Sequence, residues 1–185
     1  MTKPVEKTNA MRLLDARKIA YRVAVYDASG AFHDAIEAAA LIGAPVETVY
    51  KTLIVLRDPS ASLKAGTPGK AKPILVMIPA HLEVDLKRLA QELGEKKLRM
   101  ATQREAERLT GLQVGGISVL ALLNRGFEMC LDASAQGLET IHVSAGVRGT
   151  DIELSVSDLI DVTQAKVVSA TCSPTASSRS APSDE

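Results

Sequence analysis

Two apolar runs, "VYKTLIVL" at residues 49–56 and "PILVMIPA" at 73–80, constrain this chain most. Each falls well short of the roughly 18 residues that a bilayer crossing requires. Each is rich in the branched aliphatic residues that suit a pleated, buried surface. They read as strands, the first a central one, so the core must be organised by a β-sheet. The polar insert "RDPSASLKAGTPGKAKP" at 57–73 separates them and reads as a long hairpin loop.

Helical patterns surround these strands without strict alternation. Thr8 is placed to cap a helix carrying Met11, Leu14 and Lys18, after which "YRVAVY" alternates like a half-buried strand ending at Tyr26. "HDAIEAAALIGA" reads as a helix stopped by Gly43 and Pro45. In "LEVDLKRLAQELG", Leu82, Leu86, Leu89 and Leu93 fall on one helical face. Thr102 and Glu105 stand at capping-box spacing in "TQREAERLTG". Further strands are expected at "FEMCLD", "TIHVS" and "DIEL", with a last helix at "SVSDLIDV". This order predicts a single-domain α+β fold, a curled mixed β-sheet or small barrel flanked by helices. Residues 1–7 read as a flexible N-terminus, 8–168 as the folded domain and 169–185, poor in large apolar side chains, as a disordered tail.

Composition removes several functions. With 3% aromatic residues and no Trp, a base-stacking surface is not expected. Lys plus Arg and Asp plus Glu are equal at 22 each, so no global field draws the chain onto nucleic acid, DNA included, or onto an anionic membrane, and any nucleic-acid binding must be local, shape-led or helped by a partner. Cys130 and Cys172, with no signal peptide ahead of them, suit a reduced cytoplasm. His33, His81 and His142 are scattered, with no Cys or carboxylate at metal-ligand spacing, so a metal site is not expected. Cys130 reads as a small buried hydrophobe. The basic run from Lys87 to Arg108, seven cations against four Glu, reads as a solvated helical face. "GLQVGG" has neither dinucleotide nor P-loop spacing.

Four stretches can carry chemistry. Lys51 heads an otherwise aliphatic strand, so it either snorkels from the strand end or supplies a point charge in a pocket. Gly115 and Gly116, ahead of Ser118, form either a plain turn or a wall of exposed N–H groups able to hold an oxyanion. "HVSAGVRGTDIEL" at 142–154 interrupts a good strand with residues that do nothing for a core, which predicts a turn or bulge presenting Ser144, Gly146 and Asp151. Tyr26, with the loop after it, is either a strand-end tyrosine or part of a gate.

"VYKTL", "LEVDLKRLAQELG", "ERLTGLQVGGIS" and "HVSAGVRGTDIEL", in this order and spacing, resemble the YbaK/EbsC group of bacterial Cys-tRNA(Pro) deacylases. These are relatives of the editing domain of prolyl-tRNA synthetases. The resemblance spans about residues 8–168. It implies a small mixed barrel-like sheet and cofactor-free hydrolysis of the ester in Cys-tRNA(Pro). tRNA is the implied partner, with prolyl-tRNA synthetase a candidate for targeting. It makes Lys51 the essential lysine and Tyr26 the tyrosine near the pocket. Ser144, Gly146 and Asp151 match the family's signature, and Gly115, Gly116 and Ser118 its "GGIS" turn. The implied nucleophile is the substrate's own thiol. Val119, Ala145 and Val147 depart from the family pattern, which leaves Ala or Ser open as the amino acid. Two competitors remain: a non-catalytic binding module of the same fold, and a small-molecule hydrolase using Ser118, His142 and Asp151.

Overall fold

The structure, a computed structural model, describes residues 6–28, 34–58 and 72–174. Strand β3 (Ile74–Pro79) is buried at every position, and it occupies the centre of a five-stranded sheet. The order of that sheet is β5 (Leu98–Met100), β2 (Tyr50–Arg57), β3, β6 (Glu128–Asp132) and β9 (Lys166–Val168). β2 runs antiparallel to both neighbours, whereas β3, β6 and β9 run parallel, so the sheet is mixed. β2 is therefore next to the central strand rather than central itself.

A second, antiparallel sheet has β8 (Thr150–Ser155) between β1 (Tyr21–Val25) and β7 (Thr140–Val147). A single parallel bridge, Val49 to His142, joins it to the first. The expected mixed sheet flanked by helices is present, but the strands do not close into a barrel. β6 and β9 pair with no strand of the second sheet among the described residues.

The two-residue period of the strands sorts the interior into two layers. Ile54, Leu75, Met77, Met129 and Leu131 face the second sheet, where they meet Ile141, Val143, Ile152 and Leu154. Helices α1 (Asn9–Ala16) and α5 (Val156–Thr163) close this layer through Met11, Leu14, Leu159 and Val162. Val55, Ile74, Val76, Ile78 and Cys130 point the other way, onto Leu89 and Ala90 of helix α3 (Leu86–Leu93). The core is almost wholly aliphatic, as the composition requires.

Two boundaries differ from expectation. α3 begins at Leu86 rather than Leu82, because the Asp85 carboxylate accepts the Arg88 N–H as an N-cap. Residues Glu83–Val84 form instead a short strand, β4. The fold also continues past 168: β10 (Thr171–Cys172) pairs with β4, and Ala170 is fully buried, its N–H donating to Asp132 at 2.9 Å. Ser and Thr richness concealed a six-residue segment, 169–174, that is anchored by backbone pairing and not by large side chains. The rest of the expected tail, most of the 57–73 insert and His33 lie outside the described residues.

Candidate active site

β5 pairs with β2 only at Val55–Arg57, so on that side no described strand pairs with residues 50–53. A cavity of about 400 Å³ lies along this stretch. Helix α2 (Ala35–Ile42), helix α4 (Gln103–Thr110) and the loop after α4 supply its walls. Tyr26, Lys51, Gly115, Ser144 and Asp151 line it together, although they come from four separate parts of the chain. Ile36, Val49, Leu53, Met100, Ala106 and Ile117 make the remaining surface largely apolar.

Lys51 does reach the cavity. Its ammonium donates to the Ala80 carbonyl at 2.8 Å. Burial pulls its pKa down, and the carboxylates of Glu83 and Asp34 offset part of that shift. Asp151 sits at the opposite extreme: it is 7% exposed, and burial pushes its carboxyl up to about 6. It is thus ionised at neutral pH at an energetic cost. Burial, and after it the Asp151 charge, raises the Tyr26 phenol.

The local sequence explains how the β7–β8 hairpin presents these groups. The register shifts between Ser144 and Val147, where Gly146 takes φ +100°, so the strand bulges. Ser144 stands opposite Asp151 in the ladder, and its hydroxyl accepts the Gly146 N–H at 3.3 Å. At the turn, Gly149 has φ +80°, and an added Cβ would lie 2.7 Å from the Tyr26 carbonyl oxygen. Only glycine lets β1 and the hairpin meet there.

Gly116, Ser118 and Gly146 lie behind the cavity wall. A Cβ on Gly116 would stand 3.1 Å from the Arg148 nitrogen and 3.2 Å from the Val147 carbonyl carbon. Ser118 is fully buried and accepts the Ala121 N–H at 3.4 Å. Gly146 opens onto a separate groove beside Lys7 and Arg12. His142 does not line the cavity either, and burial lowers its pKa while Thr48 bonds it through the backbone. Ser118, His142 and Asp151 therefore assemble no triad.

Sequence reasoning missed Asp34, Thr52, Met100 and Gln103, which also line the cavity. Asp34 carries a readable signal, but one for capping: its carboxylate accepts the Ile36 and Glu37 N–H groups at 2.9 and 2.8 Å. Among the described residues, no three His, Cys, Asp or Glu are grouped to hold a metal ion, and no helix is long and apolar enough to cross a membrane.

Residues 29–162 match the family model of the aminoacyl-tRNA editing domain. The chain belongs to this family. An Enterococcus faecalis protein named "Putative Cys-tRNA(Pro)/Cys-tRNA(Cys) deacylase EbsC" is 32% identical over 161 residues, covering 87% of this chain and 91% of the relative. Two solved structures share the fold. One, described as hypothetical protein APE2540, has a TM-score of 0.73 at 24% identity, with 89% of this chain and 99% of the other covered. The second, described as a "putative trans-editing enzyme for prolyl tRNA synthetase", has a TM-score of 0.70 at 23% identity, with 89% and 95% covered. This editing domain is accordingly a hydrolase of the ester between an amino acid and tRNA, and tRNA is its substrate. The cavity is the one described space where Lys51, Tyr26 and Asp151 converge.

Proposed function

We propose that this editing domain clears Cys from tRNA(Pro), with the substrate's own thiol as nucleophile. The observation that carries the reading is the cavity lining. Among the described residues that line it there is neither Cys nor His, and Ser144 has no described histidine in that lining to act as base. These described side chains are suited to position and polarise the ester rather than to attack it. In the proposed chemistry the Cys sulfur attacks its own ester carbonyl and the ester C–O bond breaks. The 3′ oxygen of tRNA leaves with the thiol proton, and water then opens the cyclic thioester to free cysteine.

The side chains fit those tasks. Ionised Asp151 takes the α-ammonium of the aminoacyl group. Lys51 and the backbone N–H groups of the Gly115 loop face the developing negative charge. An apolar lining discriminates by only about 1–3 kcal/mol per methylene. A thiol-dependent step adds selectivity that packing cannot, since alanine and proline bring no nucleophile. The EbsC relative's name, which specifies Cys-tRNA(Pro) and Cys-tRNA(Cys), supports the same substrate. With a net charge of zero the domain attracts tRNA weakly at long range, which favours delivery by prolyl-tRNA synthetase.

The test is hydrolysis of Cys-, Ala- and Pro-tRNA(Pro) by wild type and Lys51→Ala, with and without the synthetase. Loss of the Cys ester alone, abolished by Lys51→Ala, is expected. Equal loss of the Ala ester would overturn the thiol mechanism. Survival of all three would favour a binding module.

A further inference from the structure

The cavity wall at Gly115 is a β-turn whose central peptide has no intrinsic reason to keep its orientation. The Gly116 N–H donates to the Gln113 carbonyl at 2.9 Å, closing a turn over residues 113–116. Gly115, third in that turn, has φ +89°, while Val114 is not among the residues with positive φ. This is the type II arrangement. Rotating the Val114–Gly115 peptide by half a turn gives type I, in which the third residue has negative φ. Glycine accepts either sign, so Gly115 permits both forms and selects neither.

Arg148 selects. Its Nε donates to the Val114 carbonyl oxygen at 2.8 Å, reaching from the β7–β8 turn across to the loop. The preceding peptide is held as well, since the Val114 N–H donates to the Glu107 carboxylate of α4 at 3.2 Å. Because the peptide is planar and trans, fixing the Val114 C=O toward Arg148 fixes the Gly115 N–H in the opposite direction. Gly115 lines the catalytic cavity, and Arg148 is outside that lining. Gly116 lets the two segments approach, since a Cβ there would crowd the Arg148 backbone nitrogen.

We infer that Arg148 is a positioning residue: by holding the Val114 carbonyl it keeps the Gly115 N–H, and not a carbonyl oxygen, presented at the site of ester hydrolysis. A flipped peptide would replace a donor with an acceptor where negative charge develops. The effect would then appear in the chemical step, not in binding. This inference rests on the deacylase reading, so its test needs a readout that requires no substrate.

In Arg148→Ala the Val114 Hα to Gly115 HN cross-peak in NMR, strong in a type II turn, is expected to weaken. kcat for aminoacyl-tRNA hydrolysis should fall roughly tenfold to a hundredfold at little-changed KM. Arg148→Lys, which keeps a cationic donor, should recover part of both. Gly115→Ala, which disfavours positive φ, should mimic Arg148→Ala, and the double variant should be no worse than either alone. An unchanged cross-peak, or a rise in KM with kcat intact, would overturn the role of Arg148. Absence of hydrolysis by wild type would overturn the deacylase reading and leave the NMR arm to decide whether Arg148 sets the peptide.

Discussion

Asp151 shows at the scale of one residue that a carboxyl lining the candidate site is held there at the expense of the fold. A carboxyl raised from 3.8 to about 6 binds protons more tightly in the native state than in the unfolded one. Native stability is therefore greatest below the unfolded value. It falls as pH rises through the interval up to about 6, and stays reduced above it. Asp151→Asn removes that cost. The variant should gain about 2–3 kcal/mol at pH 7.5, with the gain gone at pH 4, as read by urea midpoints at both values. Its hydrolytic rate should collapse at the same time. An equal gain at both pH values would show that charge burial is not the cause. Asp151 was legible in the sequence through the glycines around it, which mark an interrupted strand. Thr52 was not, because one hydroxyl next to Lys51 on a strand carries no local signal that a cavity will form at an unpaired edge.

At the scale of the element, α4 links local capping to the cavity. The Thr102 side chain accepts the Glu105 N–H, and the Glu105 carboxylate accepts the Thr102 N–H at 2.9 Å while also binding Arg99. The same helix turns Ala106 into the cavity and Glu107 onto the Val114 loop. Thr102→Ala should cost about 1 kcal/mol in thermal or chemical unfolding. It should also lower deacylation by more than the small unfolded fraction explains, because the first turn of α4 frays beneath the loop. A loss of stability without that loss of activity would uncouple cap from site. This capping box was readable from a three-residue spacing. The start of α3 was misplaced for the converse reason: Leu82 continued the apolar periodicity, yet the Asp85 cap decides where the backbone bonds begin.

Across the whole molecule, residues 169–174 tie distant parts together. Ala170 donates to Asp132 of β6 and accepts from the Asp85 N–H at 2.8 Å, while Thr171 and Cys172 pair with Val84 and Glu83. Ending the chain after residue 168 strips partners from these groups, each worth about 1–3 kcal/mol when left buried and unsatisfied. It also releases β4, whose Glu83 offsets the burial of the Lys51 ammonium. Ending it after residue 174 removes none of these contacts. The first truncation should therefore lower the melting temperature by more than the second, a comparison that calorimetry settles directly. A pattern-based boundary cannot find such a clasp, since two alternating polar residues pairing with a two-residue strand leave no period to detect.

The two thiols lie at opposite extremes of exposure. Cys130 is fully buried and its thiol is pushed up to about 12, whereas Cys172 is exposed, with its sulfur 3.8 Å from the Glu83 carbonyl oxygen. For a maleimide dye the wild-type protein is thus a one-thiol molecule, with its handle on the clasp beside Glu83. If tRNA engages the cavity near Lys51 as proposed, fluorescence from that position should change on tRNA binding to the unmutated protein, before any bond is broken.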